Sequence, residues 1–251
     1  MDIIQKFYDN LASKYDLLFK DWNASCKEQA TVIKKILDCH GFDISTKILD
    51  CACGIGTQSI GLAELGYDVT ASDISENELN EAKRRCKEKK LKIGFRHADF
   101  RELESAFSKS FDVVIAMDNA LPHMLSKTEL EKAIRSISSR IKNGGLFIAS
   151  IRDYDEILKT KPLYSPPYIH ETENGQRISF QTWNWAGENY NFTQYIIEDE
   201  KSLSISKFEC EYRAVRRDEL YSILINNGFS KAKWLFNDES GYYQPIIVAT
   251  K

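Results

Sequence analysis

Strand-like and helix-like segments alternate along the first 150 residues of this chain, and that alternation constrains its fold more than any other feature. Apolar residues recur at three-to-four residue steps through Ile3, Ile4, Phe7, Leu11, Tyr15 and Leu18. A second periodic run passes through Ile33, Ile36 and Leu37 and stops at Gly41, so two helices precede the first strand. There follow a strand at 47–51 (KILDC), a helix ending at Gly66, a strand at 67–72, a helix from Ser75, strands at 91–96 and 111–117, a helix from Ser126 and a strand at 145–150. Ser75 with Glu78 and Ser126 with Glu129 have the spacing of capping boxes, which satisfy two orphan amides at a helix start. Repetition of strand, helix and strand predicts an α/β fold, a doubly wound parallel sheet with right-handed crossovers.

After Ile151 the texture changes. Segments 177–185, 191–199 and 204–213 are aromatic, β-rich and separated by polar turns, and they read as an antiparallel β cap inserted into the α/β domain. A helix over 216–228 and strands at 231–236 and 244–250 resume the first pattern. The expected organisation is a core at 1–160 with its N-terminal helices, a cap at 161–214, and the last helix and strands of the core at 215–251.

Apolar residues make up 43% of the chain, enough for a full core. With 34 Lys+Arg against 37 Asp+Glu, no long-range field gathers phosphates, which argues against a nucleic-acid partner. The basic clusters at 83–85 and 87–92 are interrupted by Cys86 and Glu88 and read as a solvated helix face. Six cysteines without a CxxC pair, an N-terminus without a signal-peptide stretch and no apolar run of about 18 residues predict a cytoplasmic protein that does not enter the membrane. Cys and His lack ligand spacing, so no metal is expected.

The chemistry concentrates at three strand ends. The segment from Ile48 to Thr57 sets a glycine-rich turn, Gly54-Ile55-Gly56, between the first strand and the next helix, where backbone can approach a ligand closely. Asp73 closes the second strand, 23 residues after Asp50, and suits two ribose hydroxyls. Asp99 with Phe100 follows the third strand, a pair suited to the amino edge and face of an adenine. Singly these are a turn, a helix cap and a surface acid; jointly they point at one nucleoside. A dinucleotide site would want a third glycine where Ser59 stands.

In these segments the chain resembles class I S-adenosylmethionine-dependent methyltransferases. LDCACGIGT is similar to their first motif, Asp73 to their ribose acid, His97-Ala98-Asp99-Phe100 to their adenine segment, and Lys142-Asn143-Gly144-Gly145 to the turn before their fifth strand. The resemblance implies a seven-stranded Rossmann-like methyltransferase sheet and S-adenosyl-L-methionine as cofactor. It places Asp50, Ala52, Cys53, Gly54, Gly56, Asp73, Ile74, Asp99 and Phe100 at that cofactor.

Met117-Asp118-Asn119-Ala120-Leu121-Pro122-His123-Met124, Arg152-Asp153-Tyr154-Asp155 and the aromatic insertion further resemble the glycine and sarcosine N-methyltransferase group. That resemblance implies Met117, Asp118 and His123 at the methionine part, Tyr15 over the cofactor where the group has a tryptophan, and Asn119 and Arg152 facing the acceptor. The group's cofactor-binding arginine on the second helix has no counterpart near Asn23 to Cys26.

Chemistry supports Arg152 independently, because a guanidinium at the end of the last parallel strand can clamp a carboxylate with two hydrogen bonds; an ion pair with Asp153 or Asp155 is the competing reading. Tyr168, Trp183, Trp185, Tyr190, Tyr195 and Tyr212 offer aromatic faces for a partly cationic acceptor, with Tyr168, Trp183 and Tyr212 the expected substrate contacts. Strand alternation sends only one face inward. His123 and Asn119 are the catalytic candidates, His123 as base or as a cofactor-contacting or packed histidine. Ser165-Pro166-Pro167-Tyr168 matches a base-gripping motif of nucleic-acid amino methyltransferases but lies beyond the fifth strand, and reads as a proline turn.

The expected activity is therefore methyl transfer to a small molecule, the amine of an amino acid or similar carboxylate-bearing metabolite. Small-molecule O-methylation and RNA or protein methylation are the alternatives. Oligomeric state is left open.

Overall fold

The computed structural model describes residues 3–173, 175–199 and 204–251. Helix α1 (Ile3–Leu11) tightens into a 3-10 segment (Ala12–Leu18), so the single periodic stripe predicted through Leu18 is two elements. Helix α2 (Trp22–Cys39) starts at Asp21, whose carboxylate accepts the Ala24 N–H, and ends before Gly41 at φ +79°. The core continues as β1 (Lys47–Asp50), α3 (Thr57–Glu64), β2 (Asp68–Asp73), α4 (Glu76–Glu88), β3 (Gly94–His97), α5 (Leu103–Ala106), β4 (Phe111–Ala116), α6 (Lys127–Ser139), β5 (Ile141–Ser150) and α7 (Tyr154–Thr160). The inserted strands are β6 (Tyr168–Thr172), β7 (Gly175–Ala186), β8 (Asn189–Asp199) and β9 (Ser204–Arg213). The chain closes with α8 (Arg217–Asn226), β10 (Lys231–Leu235), α9 (Asn237–Ser240) and β11 (Ile246–Thr250).

Seven strands form one sheet in the order β10-β11-β5-β4-β1-β2-β3, an α/β Rossmann-like architecture. Strands β1 to β5 run parallel, whereas β11 is antiparallel to both β5 and β10. β1 lies between β2 and β4, so the connections leave it in opposite directions. The crevice at its carboxyl end is the switch point where such sheets bind ligands. Ile48 buries one face of β1 against Ile33 and Leu37 of α2, and Leu49 buries the other with Val114 and Phe147. Both faces are covered, as a near-continuous apolar strand requires.

Two local expectations are corrected. Lys142 to Gly145 lies within β5 instead of in a turn before it: Ile141 pairs with Phe111, and the register slips before Val113 pairs with Leu146. A Cβ at Gly145 would sit 2.5 Å from the Asp112 carbonyl oxygen, so the irregularity requires glycine. At α4 the reciprocal capping box is only half made. Ser75 Oγ accepts the Glu78 N–H at 3.1 Å, but the Ser75 N–H already donates to Asp73, which frees the Glu78 carboxyl to turn elsewhere.

The insertion forms a separate four-stranded antiparallel sheet, β6-β7-β8-β9. Its first strand, unforeseen from sequence, pairs Tyr168 with Ser179. The segment read as a proline turn instead leads into this edge, with Ser165 exchanging hydrogen bonds with Gln181. The turn after Asp199, residues 200–203, lies outside the described residues. One apolar core runs from Leu49 and Val114 to Tyr190, Phe192 and Tyr212, and α1 joins it through Phe7, whose ring meets Phe192 edge-on at 5.3 Å. Among the described residues no helix is long and apolar enough to cross a membrane, and all six cysteines are free thiols.

Helices α2 and α3 touch backbone to side chain at Gly61, where an added Cβ would lie 2.3 Å from the Cys26 carbonyl oxygen and 2.8 Å from Ala30 Cβ. Gly61→Ala should therefore lower stability by about 1–3 kcal/mol through overpacking, despite alanine's better helix propensity. Chemical denaturation checks this; a neutral or stabilising effect would show that α2 can move away freely.

Candidate active site

The glycine elbow after β1 is tied to the end of β2 by one carboxylate. Gly54, at φ +53°, donates its N–H to Asp73 Oδ2 at 2.8 Å, and the Ser75 N–H reaches Oδ1 at 2.9 Å. Asp73 is buried, and burial lifts its carboxyl to about 6 against those backbone bonds. The released Glu78 carboxyl faces the same place. A Cβ on Gly54 would come within 2.8 Å of Glu78 Oε2, while Glu78 Oε1 is buried with no partner among the described residues. Burial, then the nearby Asp73 and Asp9, push Glu78 well above the usual carboxylate range.

These groups line a cleft together with Ala52, Cys53, Ile74, Asp99 and Phe100 from the strand ends, Met117, Asp118 and His123 after β4, and Tyr15 from the 3-10 segment. Eleven of the thirteen residues expected at the cofactor thus share one cavity. Asp50 and Gly56 do not border it. Asp50 is fully buried beneath, its Oδ2 accepting the Ser59 hydroxyl at 2.6 Å, so it fixes the start of α3. Gly56 is the N-cap of α3 at φ +92°, packed near Ile60. Asp99 is ion-paired with Arg101, its Oδ2 lying 2.7 Å from Nε. Asp118 accepts from Tyr243 at 2.8 Å, from Gln58 at 2.8 Å and from Tyr242.

A second, larger chamber of about 730 Å³ lies beyond, between the two sheets. Asn119, Arg152, Tyr168, Trp183 and Tyr212 all border it. The ion-pair reading of Arg152 fails: Asp153 and Asp155 both face Arg217, and Arg152 makes no ion pair among the described residues. Its guanidinium donates instead to Tyr190 Oη and Gln181 Oε1, both at 2.9 Å, and lies 5.2 Å and 5.4 Å from the Trp183 and Tyr212 ring centroids. Asn119 is buried, donating to Tyr154 Oη at 3.0 Å and accepting the Arg152 N–H at 3.0 Å. It thereby positions the Arg152 backbone while bordering the chamber. Tyr8, Tyr15 and Asp118 border both cavities and so form the wall between them.

The sequence and the fold are similar to those of known proteins. Residues 48–145 match a family model described as a methyltransferase domain. Over that stretch the chain is similar to methyltransferase domains. It is 30% identical over 62% of its length to a glycine/sarcosine N-methyltransferase of Parasynechococcus marenigrum (strain WH8102), and 30% identical over 61% to one of Aphanothece halophytica. These alignments cover 54% and 56% of those proteins, so the chain spans about half the length of the curated relatives it matches. In fold, it is similar to an S-adenosylmethionine-dependent methyltransferase from Clostridium acetobutylicum at TM-score 0.75, with 18% identity and 97% of each chain covered. It is also similar to the amino pentose methyltransferase CalS10 of Micromonospora echinaspora at TM-score 0.71, with 16% identity and 90% and 91% covered.

Several residues that wall the two cavities carry little signal in the sequence. Tyr8 was legible in principle, because it stands four residues after Ile4 on the buried stripe of α1. Glu78 was assigned wholly to capping. Tyr242 and Tyr243 carry no local signal, since only the return of β11 beside β5 brings them to Asp118.

Burial raises the Asp50 carboxyl from an unfolded value near 3.8 to about 7. From roughly pH 4 to pH 7 the folded chain then holds a proton that the unfolded chain has lost, so this group's contribution to stability falls as pH rises through that window. Asp50→Asn should consequently gain on wild type by about 1–3 kcal/mol between pH 5 and pH 8 in parallel denaturation series. A constant offset across that range would mean that Asp50 ionises within the fold at ordinary carboxylate pH.

Proposed function

We propose that this chain transfers a methyl group from S-adenosylmethionine to the amine of a small, carboxylate-bearing acceptor. Arg152 is the observation that carries the reading. Its guanidinium sits at the inner end of the chamber with only neutral phenol and amide acceptors, between two aromatic faces. Leaving a permanent cation without an anion is costly in a partly desolvated site, and an acceptor's carboxylate supplies the missing charge with bidentate geometry.

The cleft residues fit the cofactor. Asp73 retains lone pairs for ribose hydroxyls, the Glu78 carboxyl lines the same cleft, and the absence of a side chain at Gly54 lets that carboxyl come close to the elbow. Asp99 and Phe100 suit the adenine, and Asp118 with Met117 the methionyl part. Bound there, S-adenosylmethionine supplies an electrophilic methyl on a sulfonium. The work of the chain is alignment and exclusion of water: Tyr8 and Tyr15 stand where the two cavities meet, so an amine anchored through Arg152 approaches across that wall. The chamber exceeds what a free amino acid fills and lies in the range of larger small-molecule ligands, leaving room for a substituent towards Tyr168. The near balance of 34 basic and 37 acidic residues supports a small-molecule acceptor over a polynucleotide.

Asp73→Ala should weaken S-adenosylmethionine binding about tenfold or more in calorimetry, on the roughly 1.5–3 kcal/mol scale of charge-assisted hydrogen bonds; unchanged affinity removes the ribose assignment. In a turnover assay against amino acids, amino sugars, other amines and hydroxy acids, amines carrying a carboxylate should be methylated. Arg152→Ala should then raise their KM about tenfold or more with cofactor affinity little changed. Equal loss of both would make Arg152 structural, and turnover of hydroxy acids alone would replace the amine reading by O-methylation.

A further inference from the structure

A hydrogen-bonded line runs from the wall between the cavities into the fold. Tyr8, on α1, borders both cavities, and its hydroxyl lies 2.8 Å from His123 Nε2. His123 Nδ1 in turn lies 3.2 Å from the backbone carbonyl oxygen of Glu211. A carbonyl only accepts, and it lies closer to Nδ1 than the weakly donating Cys210 thiol at 3.8 Å, so Nδ1 carries the proton, Nε2 presents its lone pair, and the Tyr8 hydroxyl donates to it. One backbone oxygen therefore sets both the tautomer and the direction of the line. Glu211 can supply it because β9 is the edge strand of its sheet.

The surroundings suit a group that alternates between neutral and cationic. The Tyr212 ring lies 4.3 Å from the imidazole, centroid to centroid, and the Tyr8 ring meets it edge-on at 5.3 Å. The titratable groups facing the pair are Tyr212 and Cys210 from β9, Tyr15 from the 3-10 segment and Glu78 from α4, with Arg152 beyond Tyr212. Burial keeps the Tyr8 phenol well above its usual range, so it stays protonated between transfers and passes a proton on instead of storing one.

We propose that Tyr8 is the acceptor-facing proton relay of this reaction and that His123, behind it, is the base; the proposal rests on the amine reading above. An N–H bond of the acceptor's ammonium breaks and its proton joins the Tyr8 oxygen, as the Tyr8 O–H bond breaks and that proton joins the lone pair of His123 Nε2. The acceptor nitrogen keeps the electron pair and becomes the neutral nucleophile. The phenol is restored, and the positive charge moves to an imidazolium whose two N–H groups donate to Tyr8 and Glu211, under the face of Tyr212. After the product leaves, the line returns the proton to water in the chamber.

The test compares wild type with Tyr8→Phe, which keeps the ring packed on Phe7 and His123, across the pH range. It uses a panel of glycine, sarcosine, glutamate, ethanolamine and glucosamine as acceptors. Wild-type kcat/KM should lose activity only below the pH at which His123 titrates. The variant should fall about 10²-fold or more at pH 7 and recover as pH approaches the acceptor's own ammonium pKa. A loss by one factor at every pH makes Tyr8 a packing residue and overturns the relay. A wild type that methylates none of the panel overturns the amine reading instead. Nitrogen-15 NMR of the imidazole, assigned among four histidines with His123→Gln, then decides the relay by itself: an Nδ1–H tautomer supports it, and an Nε2–H tautomer overturns it.

Discussion

Asp118 and Asn119 occupy the left-handed backbone region in succession, at φ +53° and +71°, and the division of the site into two cavities depends on this turn. Non-glycine residues pay for such a conformation, although Asp and Asn tolerate it better than most. Here the surroundings over-determine it. The Asp118 N–H donates to Ser150 Oγ at 2.8 Å, the Asn119 N–H donates to the Ser150 carbonyl at 3.1 Å, and both side chains are held by hydrogen bonds. Asp118 is thereby turned to the wall of the cofactor cleft and Asn119 to the backbone of Arg152. The end of β4 thus holds both halves of the site in one register, anchored on β5.

Around the cleft the chain collects acids: Asp50, Asp73, Glu78 and Asp118 all have carboxyls raised by burial. Such a cluster is unfavourable when each member is charged, which the protein meets by lifting their proton affinities. A cationic occupant reverses the balance, because every ionised acid then gains a partner. The chamber is mixed: Arg152 stands there among phenols and indoles, and Lys20, Glu28, Asp118 and Asp153 also line it. An acid-rich cleft beside a chamber that holds a guanidinium without an ion pair among the described residues suits two small charged ligands that meet at their boundary.

Most of the fold was legible because its signals are local. Caps at Ser75 and Ser126, the glycine elbow and alternating apolar strands each determine their own segment, and the side chains at strand ends follow from them. Asp73 and Gly54 were readable together since adjacent parallel strands bring their ends together by topology alone. What escaped depends on distant pairing. β6 has no apolar alternation and exists only because β7 offers an edge; Tyr242 and Tyr243 reach Asp118 only once β11 has inserted beside β5. Asp50 misled for the converse reason: a carboxylate at a strand end looks the same whether it faces a ligand or, as here, the hydroxyl of Ser59 beneath the helix.

Helix α1 closes over β8 and β9, with Phe7 against Phe192, and the 3-10 segment after it pairs Lys14 with Glu198 of β8 across 184 residues of chain. Contacts of such sequence separation form late, since their loop-closure entropy is met only after the intervening units have condensed. Helix α1 is therefore made well before β8 and β9, yet is among the last elements to find its place. Until the inserted sheet exists, α1 has only α4 to rest on, and the part of its apolar stripe that meets β8 and β9 stays exposed.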